Sequence, residues 1–254
     1  MKKLLLIPLL CSLTFAQGIG GKAGVGGSAG FGTGAAASEP TFTHIQGGPW
    51  GGSASSGTTI SATLTSPPTA GNAIVCKAAF FPSSSVVSSA VDNAGSPNSY
   101  TVAPTSSGVQ TGIPGLSFFY LLNAPSGAGS TITATISATI TFFTDMSCEE
   151  FNRSSGTWTY DTVAANNSAS ASSCTTPTIT PAVSGELLYG ACATGNGGAF
   201  ISSANSPWTL DGAGIQPSEG FAAGEYILTS SGSPGINFTI NTAAKYNGLV
   251  MALK

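Results

Sequence analysis

Histidine occurs once in this 254-residue sequence, and charge of either sign is scarce: seven Lys and Arg stand against ten Asp and Glu. The basic residues are scattered and the formal charge is −3. No patch exists that could release counterions from phosphates, which excludes nucleic acid as a partner. One histidine, with the cysteines expected in disulfides, leaves no ligand set for a zinc ion, and no metal site is expected. A Ser-His-Asp arrangement would have to use His44, which lies in a first strand segment and reads as an ordinary strand residue. No window sustains an apolar period of three to four residues in good helix formers, so helices are not expected. The N-terminal apolar run, Leu4–Phe15, is too short to span a bilayer. No motif calls for a cofactor.

What is present begins with a targeting pattern. Lys2 and Lys3 precede the apolar run, and Thr14-Phe15-Ala16 supplies small residues at a cleavage position. Residues 1–16 therefore read as a bacterial signal peptide, with the mature chain starting at Gln17 and residing outside the cell or on its surface. Loss of Lys2, Lys3 and Cys11 would leave five basic and ten acidic residues, a formal charge of −5, and four cysteines. Residues 17–38, QGIGGKAGVGGSAGFGTGAAAS, are almost entirely glycine and alanine. Glycine loses too much entropy for such a stretch to pack a core. It reads as a flexible leader, or as an arm through which copies of the chain could oligomerise by strand addition. Residues 39–254 are uniform in composition and form the one expected domain.

Apolar runs of strand length recur along that domain. They are Thr41–Gln46, Thr58–Thr65, Asn72–Phe80, Val86–Asp92, Ser99–Ala103, Leu116–Leu122, Thr131–Ser137, Thr139–Glu150, Trp158–Val163, Thr175–Thr180, Glu186–Ala193, Gly224–Thr229, Ile236–Asn241 and Gly248–Leu253. Nearly all are bounded by Gly, Pro, Asn or Ser. Many short strands with frequent turn signals predict an all-β fold, a single antiparallel β-sandwich.

The segment Ser173–Thr194 predicts a hairpin and a disulfide. If its turn centres near Val183, Thr180 faces Glu186, Thr178 faces Leu188 and Cys174 faces Cys192. Directly opposed Cα atoms lie roughly 4.5–5.5 Å apart, within disulfide reach. A Cys174–Cys192 bridge leaves Cys76–Cys148 by elimination. Pro177 cannot donate to a ladder, which places its strand at a sheet edge. Closing the Cys76–Cys148 loop of about 70 residues could contribute about 4 kcal/mol through the unfolded state.

Several segments in series carry a resemblance: TAGNAIVCKAAFF, SSAVDNAGSPNSYTVAP, LSFFYLLNAPSGAGSTITATIS, MSCEEFN, GELLYGACA, WTLDGAG, GEYILTSSGSPGINFTI and the final GLVMALK. Together, over nearly all of Phe42–Lys254, they resemble a domain of secreted bacterial proteins. The resemblance implies a jelly-roll-like β-sandwich, often joined to other extracellular modules, with no established reaction. It matches Asp92 to the family's hairpin aspartate, Glu150 and Phe151 to a Glu-aromatic strand end, and Glu225 to a late acidic position. Asn152 and Arg153 replace small residues after Phe151, and the four cysteines are additional.

The candidate chemistry is limited. Glycoside hydrolysis needs two carboxylates across a cleft. Glu149 and Glu150 are adjacent and point to opposite faces of a strand, while Asp145 and Glu149 share a face about 13 Å apart. Only a pair from different strands, such as Glu150 with Glu225, could serve. The bland expectation is one inward carboxylate satisfied by backbone donors and one outward charge. Asp92, Asn93 and Asn98 could supply a few oxygens to calcium, but their chemistry reads as a plain turn. Sugar rings stack on aromatic faces, which makes Trp50 in a glycine-flanked loop, Trp158 with Tyr160, and Trp208 the candidate ligand-binding residues. The expected function is thus a secreted, non-catalytic module for extracellular recognition or attachment, with polysaccharide or another cell-surface component as its partner. The alternatives are a filament or coat subunit assembling through residues 17–38, and a glycoside hydrolase-like enzyme.

Overall fold

The structure, a computed structural model, describes residues 39–47, 52–54, 56–81, 84–104, 114–140, 144–183, 185–195, 201–205, 208–210, 221–228 and 235–254. For 52–54, 202, 210 and 221–228 only the backbone is described. The expected signal peptide, the glycine-rich leader and Trp50 lie outside these residues.

Among the described residues fifteen strands run in chain order: β1 Phe42–Gly47, β2 Gly52–Ala54, β3 Thr59–Thr63, β4 Ala73–Phe80, β5 Val87–Asp92, β6 Thr101–Val102, β7 Gly115–Leu121, β8 Thr131–Ile136, β9 Thr144–Arg153, β10 Tyr160–Thr175, β11 Glu186–Thr194, β12 Ile201–Ala204, β13 Thr209–Leu210, β14 Phe221–Leu228 and β15 Asn237–Leu253. No helix occurs among the described residues, and the named strand pairs are antiparallel. The all-β sandwich read from the sequence is therefore present, with a third sheet on its back. The first sheet has the order β1-β9-β4-β7-β6, with β2 also on β9. The second is β10-β15-β11-β14-β13, with β12 also on β15, and the third is β3-β8-β5.

Period-two patterning explains the layers. In β8, TITATI, Ile132, Ala134 and Ile136 are buried while the three threonines face outward. These residues pack with Ile60 and Ala62 against Ile74, Phe80, Phe119 and Met146 on one face of the first sheet. The other face of that sheet, with Val75, Phe118 and Phe151, packs on Leu187, Tyr189, Leu249 and Met251 of the second. Strand β4 lies between both cores, which is why AIVCKAAF is buried at every position. A further core, with Ile179, Trp208, Ile236 and Phe238, covers the far face of the second sheet around Leu188 and Val250.

Both expected disulfides form, though neither rests on the hairpin from which they were read. Cys76 and Cys148 face each other in the β4–β9 register with Cα atoms 4.1 Å apart. Cys174–Cys192 spans 6.3 Å between Cα atoms, but the hairpin that predicted it does not exist. Residues 176–181 are irregular, Cys174 lies one residue before the end of β10 opposite Phe238, and β15 lies between β10 and β11 in the sheet. The bridge closes because β10 turns back across the sheet. Its register shifts between Ser168 and Ser173, and the Thr175 carbonyl accepts a 2.5 Å bond from Asn166 Nδ2. The returning chain crosses over Gly248, the residue paired with Cys192. A Cβ at Gly248 would meet the Asn166 side chain at 2.8 Å and the Thr175 carbonyl at 3.5 Å, so the crossing needs glycine there. Pro177 accordingly lies beyond the strand end and not in an edge strand.

Candidate functional site

The sequence TDMSCEEFNR is an unusual thing to bury between two sheets, yet Thr144–Phe151 of β9 is buried at every position. Alternation sends Met146, Cys148 and Glu150 toward the third sheet and Glu149 and Phe151 toward the second. The two glutamates do point to opposite faces. Neither carries an outward charge, which corrects that expectation: Glu150 is fully buried and Glu149 is 1% exposed.

Glu149 is the centre of a buried polar cluster. Lys77 from β4, a lone cation in an apolar strand, donates from Nζ to Glu149 Oε1 at 2.6 Å and to the Tyr189 hydroxyl at 2.8 Å. Tyr189 from β11 donates its hydroxyl to the same Oε1. All three side chains are buried, and aromatic edges from Phe118 and Phe151 stand against the Tyr189 ring at 5.4 and 6.1 Å. His44, on edge strand β1, approaches Glu149 Oε2 at 3.8 Å from the partly open side. Gly47 closes the cluster: a Cβ there would lie 2.6 Å from Glu149 Cγ, and its φ of +147° also favours glycine. In the β11–β14 register Glu225 stands opposite Tyr189, so the late acidic position comes to the strand beside this cluster and not beside Glu150.

Glu150 does different work. Its Oε1 accepts from the Thr69 N–H at 2.8 Å and Asn72 Nδ2 at 2.5 Å, and its Oε2 accepts from Gln46 Nε2 at 2.5 Å. Gln46 in turn holds Thr65 and Ser66, so the carboxylate clasps the segment before β4 to β1. Asp92 is a second clasp. Its oxygens accept from the Ala94, Asn98 and Gly129 N–H groups and from Asn98 Nδ2 at 2.7–3.1 Å. Burial pushes the Asp92 carboxyl up, but these donors outweigh it and hold the group below the ordinary aspartate value. This is the turn chemistry the sequence implied. Among the described residues no cluster of three or more His, Cys, Asp or Glu could hold a metal ion.

Three further carboxylates, Asp145, Asp161 and Glu186, are buried or largely buried. Burial raises the Asp145 carboxyl to about 6. At the end of the second sheet Asp161 accepts from Lys254 Nζ at 2.8 Å and from the Ala182 N–H at 2.9 Å. The neighbouring Glu186 is buried, which raises its carboxyl, and its Oε1 accepts from the Val183 N–H at 2.9 Å.

The predicted aromatic platforms take other places. Trp158 is 2% exposed and packs on Phe42 at 5.1 Å between ring centres. Tyr160 is half-buried and stacks on Tyr120 at 5.7 Å. Trp208 is 6% exposed in the core on the far face of the second sheet and donates from Nε1 to the Gly235 carbonyl at 3.2 Å. The structure does not bring the three aromatic residues to one face.

What the sequence reading missed is the outer face of the third sheet. There the pairs Thr59–Thr135, Ser61–Thr133 and Thr63–Thr131 lie side by side in register, with Ser89 and Val91 of β5 beyond Thr135 and Thr133. Ser61 and Thr133 share a 2.7 Å hydroxyl bond, and Thr63 and Thr131 one of 3.2 Å. Between Gly51 and Thr144 the chain has only two charged residues, Lys77 and Asp92, and both are buried. The alternating T-x-T spacing in two segments was the available signal. For the Lys77 cluster the signal was one lysine and one tyrosine inside otherwise apolar strands.

No protein-family model, curated protein or solved structure matches this chain.

Proposed function

We propose that the chain is a secreted, non-catalytic module for extracellular attachment that recognises an uncharged polysaccharide. The observation that carries this reading is the outer face of the third sheet, a regular array of hydroxyl and methyl groups without a charged side chain. Rows of strands roughly 4.8 Å apart, with outward residues roughly 6.8 Å apart along each strand, offer repeated hydroxyl donors and acceptors to an extended neutral chain. The absence of charge there suits a neutral partner and leaves nothing to attract an ionic one. Two disulfides fit an oxidising compartment, and the motif series resembles modules of secreted bacterial proteins. The hydrolase alternative needs two carboxylates open to a cleft, whereas Asp92, Glu149 and Glu150 are enclosed and engaged.

The test is sedimentation of the chain with insoluble neutral polysaccharides, comparing wild type with Thr133→Asp and Ser61→Asp. Wild type should co-sediment with at least one, and either charge should reduce binding by tenfold or more while the fold is kept. Absence of binding to the whole panel overturns the reading.

A further inference from the structure

The Lys77–Glu149 pair has an arrangement that a structural ion pair does not require, and it stands independently of the attachment reading. Both side chains are enclosed between two sheets, on neighbouring antiparallel strands. Lys77 lies opposite Ser147, so Glu149 is its diagonal neighbour, within reach of long side chains. The directly adjacent positions, Cys76 and Cys148, are already covalently joined and hold the two strands in fixed register. The Tyr189 hydroxyl accepts from Nζ and donates to Oε1, so one hydroxyl bridges the nitrogen and the carboxylate oxygen.

We propose that Lys77 and Glu149 condense to an intramolecular amide. Tyr189 can relay a proton from the ammonium to Oε1 by giving up its own and taking one from Nζ, ending unchanged. That converts the ion pair to a neutral amine and a carboxylic acid, the forms that react and the forms a dry interior favours. The Nζ lone pair then attacks Glu149 Cδ, and the carbon–oxygen bond to the protonated oxygen breaks. Of the three ammonium hydrogens one remains on the amide nitrogen, and two leave with the oxygen as water. No oxidant or co-reactant is needed. A held pair can reach effective molarities of about 10⁵–10⁸ M. The product also replaces two buried charges, each carrying a desolvation penalty, with one neutral amide. His44, 3.8 Å from the second carboxylate oxygen, lies on the side nearest solvent, where the released water can exit.

The experiment is the intact mass of the purified full chain, with disulfides reduced and alkylated before measurement. The proposal expects a mass one water below that of the processed sequence. Trypsin should fail to cut after Lys77 and yield one peptide pair joining the Lys77 and Glu149 segments. Tyr189→Phe, which keeps the ring and its aromatic contacts, should slow the condensation by about 10²-fold and allow the uncondensed mass to be trapped soon after synthesis. Lys77→Met should abolish the water loss altogether. A wild-type chain that is folded, oxidised and still at full mass after prolonged incubation overturns the proposal. So does a water loss that maps elsewhere or persists in Lys77→Met.

Discussion

Changing Glu150 separates a structural carboxylate from a catalytic one. Its two oxygens receive three hydrogen bonds, from the Thr69 N–H, Asn72 Nδ2 and Gln46 Nε2, with no exposure to solvent. Glu150→Gln keeps the shape and one carbonyl oxygen, which can still serve Thr69 and Asn72. It turns an amide NH₂ toward the NH₂ of Gln46, so that bond is lost and two donors meet. One lost bond to a charged acceptor costs about 1.5–3 kcal/mol. Glu150→Ala orphans all three donors and leaves a cavity, and should cost about 4–5 kcal/mol, since Gln46 can turn out to water. With a urea m-value of about 2 kcal/mol/M, the midpoint of Glu150→Gln should fall by about 1 M and that of Glu150→Ala by more than 2 M. Trp158, packed in the neighbouring core, provides the fluorescence signal. A Glu150→Gln midpoint equal to wild type would refute the reasoning. Loss of a measurable turnover at unchanged stability would replace it with the hydrolase reading.

Asp145 gives a pH dependence of opposite sense to the usual carboxylate. Its folded value, about 6, lies above its unfolded value, so the folded state holds the extra proton and the favourable contribution is complete below about 3.9 and lost as pH rises through about 6. Asp145→Asn should therefore raise the denaturation midpoint at pH 7 and not at pH 3.5, and equal effects at both values would refute this. The two disulfides close loops of different length, 72 and 18 residues. Replacing Cys174 and Cys192 together by Ala should cost about 3 kcal/mol in denaturant titration, and replacing Cys76 and Cys148 about 4. If Lys77 and Glu149 are joined, the longer loop stays closed, and the second cost should fall to well under half unless Lys77→Met is also present. Deleting residues 17–38 should leave the size distribution unchanged by light scattering if the chain acts as an attachment module, and should abolish higher assemblies if it is a filament subunit.

The strands legible in the sequence are those whose period-two pattern reflects one buried face, such as Thr131–Ile136, or whose apolar run reflects two, such as Ala73–Phe80. Ala164–Ser173 was not legible, because Ala, Asn and Ser have weak strand preference. It is extended because it pairs along β15, a partner more than 60 residues away in the chain. The same long-range pairing defeated the predicted hairpin. A mirrored spacing of cysteines identified the right bond, but the geometry came from a strand folding back over Gly248. At the site, alternation correctly separated Glu149 from Glu150. It could not reveal what lies above a strand, and Tyr189 meets Glu149 from another sheet. Trp158 and Trp208 show the converse: a residue type suited to sugar stacking is equally suited to filling a core.

Most proteins keep charge outside, where hydration is retained. Here Lys77, Asp92, Asp145, Glu149, Glu150 and Glu186 are all buried, while the outer sheet shows only hydroxyls and methyls. The clasps explain the inward placement. Short strands joined by long irregular segments have few backbone bonds to fix those segments, and a carboxylate with three or four donors fixes several at once. Few charges then remain for the surface, and surface hydroxyls supply the contact with water. An interaction made by such a face rests on short-range contacts and not on long-range steering. Its strength should accordingly persist from low to high ionic strength, where a charge-guided contact would weaken within the Debye length.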